Sequence, residues 1–449
     1  MSDFDVFSNR WEITGKITLV TPLRIGGGQN AGAYSLSQSP VLISYDAHTQ
    51  TAQPYIPGSS LKGVLRSTME RIIRTLNEKK SCIAVGERRA VNNVLCGKSD
   101  CVPCSIFGSQ KSGASIRVQD AHLCDDVEFG NVLDERPHCA TLYDKRSDRY
   151  EMQMVRRGNF KVPKTILRME EVVATNTSFD LNINIDNVND RDIGLLMLML
   201  EEFNHKRCHL GGGVSRGHGF ADIGDLKVIK KTIDSDNKLF FNVLEEQCDI
   251  DKLRNYAKDY LRSIDDGNEI NRRDFDIYYR AYQTKGMSGH LVVKYKITTL
   301  KPFQMPGVDE STVTNYGVPV IPGSTIKGFL RHKLIKDGVV ASIIDEIFGS
   351  VKGNYQHRSR LLVSDAYPDE NFAGRDMIPE NTTLTMWVVF DNMEANEVNL
   401  IKNVLTSRQV ITGKRIAGVR KGKPADNNEV EFSAVTPERF NISKYLKES

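Results

Sequence analysis

The sequence predicts an α+β fold that is built twice in tandem within one chain of 449 residues. Residues 55–66 and 320–331 read YIPGSSLKGVLR and VIPGSTIKGFLR, and the two copies keep the same class of residue at each position. Each copy follows a stretch of alternating apolar and polar residues, which is typical of a half-buried strand. The same shorter motifs then follow each copy in the same order, so one unit of strands and helices is expected to occur twice.

The bulk composition is that of a globular protein in water. Apolar residues make up 40% of the chain and charged residues 26%, and no apolar run is long enough to span a bilayer. The first residues lack the charged-then-apolar order of a secretion signal, so we expect a cytoplasmic protein without membrane contact. A net charge of +3 is close to neutral, so any surface for nucleic acid must be local.

The first predicted strand covers residues 11–22, in which apolar and polar side chains alternate. Three consecutive glycines at 26–28 follow it, and they either let the backbone approach a ligand or form a flexible loop. No Asp or Glu lies between Glu12 and Asp46. This loop therefore offers no carboxylate for metal or proton chemistry.

The repeated motif predicts the start of a helix. Pro57 and Gly58 end the extended entry, and Ser59 or Ser60 is expected to cap the first helical N–H groups. An apolar face then continues along one side of the helix, formed by Leu61, Val64, Leu65, Met69, Ile72, Ile73 and Leu76.

Two basic residues stand off this apolar face. Lys62 and Arg66 lie near the positive end of the helix dipole, where they are either solvated or in contact with an anion. The second copy repeats them as Lys327 and Arg331. The repetition favours phosphate contact.

Four of the eight cysteines are clustered after the first helix in the spacing C-x13-C-x4-C-x2-C, as Cys82, Cys96, Cys101 and Cys104. The last pair frames a Val-Pro knuckle like those that hold Zn²⁺ between two thiolates. Four thiolates would close a structural site, and buried free cysteines are the alternative. Cys82 is the weakest of the four assignments, with His122 or Cys124 as substitutes. Clustered cysteines fit metal binding in a reducing compartment better than a disulfide framework.

Residues 143–164 are basic and irregular, with aromatic side chains among the cations. This composition suits a protruding hairpin that grips a single nucleic-acid strand, or else a solvated charged loop. Arg156 and Arg157 are its candidate contacts. A strand over 181–185 and an amphipathic helix over 192–205 are predicted to follow.

A glycine-rich turn, HLGGGVSRGHGF, occupies residues 209–220 and contains Arg216. Its spacing resembles a dinucleotide-binding fingerprint, but it follows a helix and no helix is predicted to begin after it, so we reject that interpretation. A turn that lays backbone N–H groups and one arginine along a phosphate chain fits better.

The second unit repeats this order after a polar bridge at residues 226–284, which is too long for a bare linker and is expected to pack in part on the first unit. A strand is predicted over 291–302. The helix copy, IFGS at 347–350, SRLLVSDA at 359–366 and a glycine-rich basic turn at 413–424 follow. The cysteines are missing, and the loops are shorter, as expected when a core persists while its loops vary.

The order of strand, glycine loop, IPGSSLKG helix, IFG motif, strand ending in Asp-Ala and GGGVSRGHGF turn resembles the RAMP superfamily of CRISPR effector proteins. It is most similar to the repeating backbone subunits of type III effector complexes, here fused in tandem. The resemblance covers residues 10–225 and 285–432. It implies two ferredoxin-like (RRM-like) domains with loop insertions at residues 1–225 and 285–449, joined by 226–284. The first domain would carry the zinc knuckle and a thumb hairpin within 143–171.

The resemblance also implies a function. The chain would be a subunit of an antiviral ribonucleoprotein that binds guide CRISPR RNA, holds the guide-target duplex and contacts other subunits of the complex. The guide would be contacted by basic residues of the helix starts, the thumb and the glycine turns, namely Lys62, Arg66, Arg156, Arg157, Arg216, Lys327, Arg331 and Arg420.

Members of that family cleave target RNA with a divalent metal such as Mg²⁺ and an Asp in the loop after the first strand. Gln38 stands at the matching place in the first unit, so we expect that unit to be inactive in cleavage. Asp309 is the candidate in the second unit, and a solvated turn acid is the alternative. Two other functions remain open: a purely structural subunit, and an endoribonuclease that processes guide precursors through His209, His218 or His332.

Overall fold

A computed structural model gives the structure of the chain. It describes residues 7–26, 40–46, 51–82, 101–109, 112–124, 133–138, 142–144, 149–151, 154–157, 160–163, 168–233, 243–265, 289–304, 314–315, 318–349, 359–370, 377–406, 408–411, 428–441 and 443–446.

Strands and helices of the first part of the chain follow in the order β1 (Asn9–Leu19), β2 (Ile43–Asp46), β3 (Thr51–Pro54), α1 (Gly58–Leu76), α2 (Val102–Phe107), β4 (Ile116–Val118), β5 (Leu133–His138), β6 (Leu142–Asp144), β7 (Arg149–Glu151), β8 (Met154–Arg157), β9 (Phe160–Pro163), β10 (Arg168–Val173), β11 (Ser178–Asp186), α3 (Asp190–Asn204), β12 (Ala221–Ile233), β13 (Val243–Gln247) and α4 (Ile250–Ile264). Short 3₁₀ helices cover Glu78–Lys80 and Val214–Arg216.

Elements of the second part are β14 (His290–Thr299), β15 (Thr314–Asn315), β16 (Val318–Pro319), α5 (Gly323–Lys336), α6 (Ala341–Phe348), β17 (Leu361–Val363), β18 (Tyr367–Pro368), β19 (Thr383–Asp391), α7 (Ala395–Val404), β20 (Arg408–Val410), β21 (Glu429–Arg439) and α8 (Ser443–Leu446). Among the residues that the structure describes, no helix combines the length and the apolar character needed to cross a bilayer.

Each part of the chain builds one antiparallel sheet on the same plan. The first sheet has the order β13-β12-β1-β11-β4, and the second has the order β17-β19-β14-β21-β20. In the first sheet β1 lies between β11 and β12, and β4 lies beside β11. In the second sheet β14 lies between β19 and β21, and β17 lies beside β19. The α+β class and the double use of one unit are confirmed.

The core of the first unit follows from the alternation in β1. Trp11, Ile13, Ile17 and Leu19 are all fully buried, since alternate residues of a strand point to the same face. The predicted apolar face of α1 packs on them, and its members are buried except for the partly buried Val64. Burial of each such side chain contributes about 1.5–3 kcal/mol to the stability of the fold.

The two units meet in a small apolar cluster, which we call the joint. It consists of Phe220 from the first unit packed against Val292, Leu362 and Val389 of the second, with Trp387 partly buried beside them. An ion pair also crosses between the units, from Arg71 on α1 to Asp391 at the end of β19, with 3.1 Å between Nη2 and Oδ1.

The bridge and the end of the chain both pack on the first unit. Helix α4 crosses α3 so closely that a Cβ on Gly194 would lie 2.0 Å from the carbonyl oxygen of Leu253. Part of the bridge therefore packs as predicted. The limits at residues 225 and 284 stay a prediction, since β12 runs from Ala221 to Ile233.

The predicted thumb region contains short antiparallel strands. β5 pairs with β10, β6 with β7, and β8 with β9. Arg156 and Arg157 lie on β8, in register with Lys161 and Phe160 of β9. The candidate nucleic-acid contacts of this region thus lie on paired strands.

Candidate nucleic-acid interface and cysteine cluster

The repeated motif begins a helix in the same way in both units. The N–H of Gly58 donates to Oδ1 of Asp120 at 2.7 Å, and the N–H of Gly323 donates to Oδ1 of Asp365 at 2.8 Å. A carboxylate at this position accepts a hydrogen bond from an N–H that has no partner within the helix and also opposes the positive end of the helix dipole.

The expectation that Ser59 or Ser60 caps the first helix is wrong. Pro57 occupies the N-cap position, and no side chain accepts a hydrogen bond there in the usual N-cap geometry. The acceptor comes instead from Asp120, which follows a strand far along the chain. The sequence did contain a signal for it, since the strand ending in Asp-Ala is repeated in both units.

The glycine at the start of each helix is required by close packing. A Cβ on Gly58 would lie 2.1 Å from the carbonyl oxygen of Val118, and one on Gly323 would lie 2.2 Å from that of Val363. Backbone bridges from Ile56 to Ala121 and from Ile321 to Ala366 hold the same two segments together. The Ile-Pro-Gly and Asp-Ala motifs therefore pack on each other and form one structural motif in each unit.

The second glycine of the motif has no such structural reason. Gly63 and Gly328 are exposed, and in the part of the chain that the structure describes no atom would lie within 4 Å of a Cβ at either position. Glycine inside a helix destabilises it by about 0.5–1 kcal/mol relative to alanine. The helix starts therefore present a bare stretch of backbone, next to the motif lysine, in both units.

The basic residues of the first helix make contacts within their own unit. Nζ of Lys62 donates to the carbonyl of Ile116 at 3.2 Å. Partial burial, followed by repulsion from Arg66, lowers the pKa of Lys62. The guanidinium of Arg66 donates from Nε to Glu70 Oε1 at 2.8 Å and from Nη1 to the carbonyl of Gly108 at 2.9 Å. Burial opposes the charge of Arg66, but the pair with Glu70 outweighs it, and the pKa of Arg66 is raised.

The second motif arginine occupies a related position. Nη2 of Arg331 donates to the carbonyl of Phe348 at 3.4 Å, and its guanidinium lies 5.0 Å from the centroid of the Phe348 ring. Phe348 ends α6, as Phe107 ends α2 in the first unit. In both units the arginine therefore helps to satisfy the carbonyl end of a short helix, where a cation is favourable.

Basic groups from both units converge at the start of α5. Nζ of Lys327 donates to the carbonyl of Ser215, in the glycine-rich turn of the first unit, at 3.0 Å. Burial, followed by repulsion from Arg331 and Arg216, holds the pKa of Lys327 well below its usual range. Burial also lowers the pKa of Arg331, to about 10. We call Arg216, Lys327 and Arg331 the junction cluster, and its like charges make this place suited to an anion.

The glycine-rich turn is wedged between the units. Gly213 and Gly217 have left-handed backbone, with φ of 73° and 75°, and flank the 3₁₀ helix that carries Arg216. A Cβ on Gly217 would lie 2.1 Å from Cα of Ser364 in the second unit. The chain then enters strand β12 rather than a helix, in agreement with the rejection of a dinucleotide site.

Three of the four predicted metal ligands come together. The Sγ atoms of Cys82, Cys101 and Cys104 lie within 4.8 Å of one another, and all three residues are buried. Cys96 lies outside the described residues. The substitutes for Cys82 are engaged elsewhere, since Cys124 donates to Asp180 at 3.3 Å and the ring of His122 stacks on that of Tyr55.

One sulfur of the cysteine cluster ionises more readily than an ordinary thiol. Hydrogen bonds from Cys104 and Cys82 lower the pKa of Cys101, whereas hydrogen bonds with Cys101 and Cys104 raise the pKa of Cys82. Nη2 of Arg66 lies 3.4 Å from Sγ of Cys104. Zn²⁺ in structural sites binds thiolates in a tetrahedron. Three converging sulfurs beside a guanidinium fit three ligands of such a site.

Three predicted site residues lie outside the described residues, namely Cys96, Asp309 and Arg420, as does Gln38. Of the predicted contacts for nucleic acid, the structure brings Arg216, Lys327 and Arg331 together. Lys62 and Arg66 make their hydrogen bonds within the first unit.

Comparison with known proteins identifies the family. A family model described as the RAMP superfamily matches residues 16–222 and 296–438, which together make up most of the chain. The first matched region ends where β12 begins, and the second runs from within β14 to within β21, so each region lies in one of the two units.

Curated relatives carry one recurring description. The "CRISPR system Cms endoribonuclease Csm3" of Methanothermobacter thermautotrophicus is 25% identical over 246 residues, covering 51% of this chain and 89% of the relative. Its namesake in Enterococcus italicus is 28% identical over 220 residues, covering 46% and 86%. That of Methanocaldococcus jannaschii is 29% identical over 232 residues, covering 49% and 80%. Each alignment takes up about half of this chain and most of the relative.

Proposed function

The chain belongs to the RAMP superfamily, and from this premise we propose that it is a guide-RNA-binding backbone subunit of a type III CRISPR ribonucleoprotein. It would hold the guide-target duplex together with other subunits, in the cytoplasm. The two matched regions, and relatives whose alignments each cover only about half of this chain, support a subunit in which two backbone units are fused.

We infer that both units are ferredoxin-like. The order strand, helix, strand, strand, helix, strand, with the first strand between the third and the fourth, supports this assignment in each sheet. Long insertions between these elements account for the thumb strands and for the cysteine cluster. The proposed limits are 1–225, 226–284 and 285–449.

The observation that carries the RNA-binding proposal is the bare helix start in both units. Gly63 and Gly328 follow the motif lysines and are exposed, and among the described residues no atom would lie within 4 Å of an added Cβ at either position. Glycine at such a place lets another backbone approach closely, and helix N-termini favour phosphate. In the second unit the junction cluster adds positive charge at the same place.

Alanine at these glycines tests the proposal directly. Gly63→Ala and Gly328→Ala should leave the fold intact or stabilise it by about 0.5–1 kcal/mol each, because alanine favours a helix. The affinity of the full chain for a single-stranded guide RNA should fall, since the added methyl group occupies the space of the ligand. Gly224→Ala is the matched control, because Gly224 is exposed on strand β12, away from the helix starts, and no described atom would lie within 4 Å of its added Cβ. Unchanged affinity in Gly63→Ala and Gly328→Ala would reject the helix starts as the RNA path.

We propose a structural Zn²⁺ held by Cys82, Cys101 and Cys104, with Cys96 as the fourth ligand. The three converging sulfurs support it. Elemental analysis of the purified chain should find about one zinc per chain, as four-thiolate sites bind a single ion. Cys101→Ser should lose that zinc while Cys248→Ser, outside the cluster, retains it. Equal zinc content in the two variants would contradict the site.

We further propose that the chain cleaves target RNA with a divalent metal such as Mg²⁺ and with Asp309 as the catalytic carboxylate. The description of the relatives as endoribonucleases supports this activity. Asp309→Ala in the assembled complex should remove one cut in a matched target RNA while target binding is retained. An unchanged cut pattern would leave the purely structural subunit as the better account.

Processing of guide precursors is the weaker alternative. The ring of His209 packs edge-on against Phe220, with 4.9 Å between centroids, and His218 is buried. Only His332 of the three candidate histidines is exposed. Cleavage of a guide precursor by the isolated chain, lost in His332→Ala, would be needed to favour this function.

A further inference from the structure

The end of the chain leaves the second sheet and packs on the first unit. Phe440 and Tyr445 are 3% and 7% exposed and belong to the hydrophobic core of the first unit, although they follow β21 of the second. Leu446 packs against the same core, and Nε of Arg262 on α4 donates to its carbonyl at 2.5 Å. We call Phe440 together with α8 the C-terminal clasp.

A buried ion pair lies beneath the clasp. Glu202 of α3 is fully buried and Arg207 is 3% exposed. Arg207 donates to both carboxylate oxygens of Glu202, from Nε to Oε2 at 2.6 Å and from Nη2 to Oε1 at 3.2 Å. The hydroxyl of Tyr445 donates to Oε1 of the same carboxylate. A buried charge pair is tolerated only when its remaining hydrogen-bonding groups are satisfied, so Tyr445 completes a site that the first unit leaves open.

Further contacts connect the clasp with the second sheet. Glu438, near the end of β21, accepts from Nη1 of Arg207 at 3.2 Å and lies 2.9 Å from Nδ1 of His205. The N–H of Phe440 donates to the carbonyl of His290, the first residue of β14, at 2.9 Å. The guanidinium of Arg207 lies 5.4 Å from the centroid of the Phe440 ring. Arg207 of the first unit thus contacts Glu202 of its own unit and both Glu438 and Phe440 from the second part of the chain.

From these contacts we propose that the C-terminal clasp fixes the orientation of the two units relative to each other, so that they act as one rigid body. Units joined by a small interface move relative to each other by default, and the apolar joint is small. The clasp adds aromatic burial and a satisfied buried ion pair at a second place on the boundary. The clasp thus adds a further attachment to the joint, to the Arg71–Asp391 pair and to the contacts of the glycine-rich turn, and further restricts rotation between the units.

A tryptophan of the chain itself reports on the joint. The chain has two tryptophans, of which Trp11 is buried in the first core and Trp387 packs in the joint. In a Trp11→Phe background, the emission therefore comes from Trp387 alone. Tyr445→Ala, and a chain that ends at Asn441, should each raise acrylamide quenching of Trp387 and shift its emission to longer wavelength.

Two further variants complete the test. Asn255→Ala changes an exposed side chain on α4, outside the clasp, and should leave the quenching unchanged. Tyr445→Phe keeps the ring and loses the hydroxyl, and should raise the quenching less than Tyr445→Ala does; it also decides the question if the alanine variant fails to fold. Faster hydrogen exchange in α4 and α8 with Trp387 still protected would overturn the proposal, since the clasp would then cover only the first unit. The quenching and exchange experiments are done without RNA. A negative result would therefore reject the role of the clasp and leave the RNA-binding proposal untouched.

Discussion

At the scale of one residue, the surroundings of Lys327 favour the binding of an anion beside it. Its ammonium group donates to a backbone carbonyl of the other unit and is held beside two guanidinium groups. The protein alone stabilises such a cation poorly, as the lowered pKa indicates. A phosphate at this place would offset the repulsion, so the same group is unfavourable without a ligand and favourable with one.

On the proposed RNA path, this arrangement should make RNA affinity depend on pH. A bound phosphate should raise the lowered pKa of Lys327 towards its usual value, so binding takes up a proton. Affinity should therefore be highest at low pH and fall as the pH rises through the pKa that Lys327 has in the free protein. Lys327→Met should lower the affinity about 10- to 100-fold, since charged hydrogen bonds contribute about 1.5–3 kcal/mol, and should remove this part of the pH dependence.

Titration of fluorescent single-stranded RNA across a series of pH values measures both effects. Lys333→Met is the matched control, because Lys333 lies on the same helix and pairs with Asp337 at 3.1 Å on the surface. Its affinity should follow that of the wild type at each pH. A pH profile of Lys327→Met that matches the wild type would exclude Lys327 from the RNA contact.

The start of the repeated helix is the clearest case at the scale of an element. The repeated motif has the same structure in both units. Its first glycine packs against a strand, and an aspartate accepts a hydrogen bond from the N–H of that glycine. The environment of the two aspartates differs, however. Asp365 is 4% exposed beneath the glycine-rich turn, whereas Asp120 is exposed.

This difference predicts unequal effects of the same substitution. Asp120→Ala should lower the free energy of unfolding by about 0.5–2 kcal/mol, the usual value of a lost helix cap. Asp365→Ala should cost more, because the N–H of Gly323 is then left without a partner in a buried place, which costs about 1–3 kcal/mol in itself. Urea unfolding followed by circular dichroism measures both. Equal losses in the two variants would show that burial of the cap has no effect on its strength.

Local patterns predicted the elements well, because their signals lie within a few residues. The strand predicted over 181–185 lies within Ser178–Asp186, and the helix predicted over 192–205 is Asp190–Asn204. The helix cap was assigned to the wrong residue, since its acceptor lies far along the chain. The cysteine spacing correctly predicted that sulfurs converge, because Cys101 and Cys104 lie at the start of one short helix, and Cys82 joins them. Their binding of zinc stays a prediction.

At the scale of the whole molecule, the contacts between the units could not be predicted from the sequence. The glycine-rich turn fits between the units because Gly217 packs against Ser364. The clasp packs on the first unit because Tyr445 donates a hydrogen bond to Glu202. Neither pair leaves a periodic pattern in either segment. Internal repetition predicted that two units exist, but it contains no information on how one packs on the other.

The boundary between the units should respond to acid through His290. Its ring is 1% exposed, and Nδ1 lies 3.2 Å from Oδ1 of Asp391, which also pairs with Arg71. Burial lowers the pKa of His290 below 6.5; Asp391 opposes this effect, and Arg71 and Arg207 add to it. The unfolded chain thus binds a proton more readily than the folded one. The contribution of His290 to stability is present above pH 6.5 and is lost as the pH falls below that value.

We therefore expect the thermal unfolding temperature to fall between pH 7.5 and pH 5.5, and to fall less in His290→Gln, which cannot take up the proton. His332→Gln, on an exposed site of α5, should retain the full pH dependence and serves as the matched control. Calorimetry at fixed ionic strength measures the temperatures. If the unfolding temperature of His290→Gln fell as much as that of the wild type, other groups would determine the loss of stability in acid. Protonation of His290 would then have no effect on the contacts between the units.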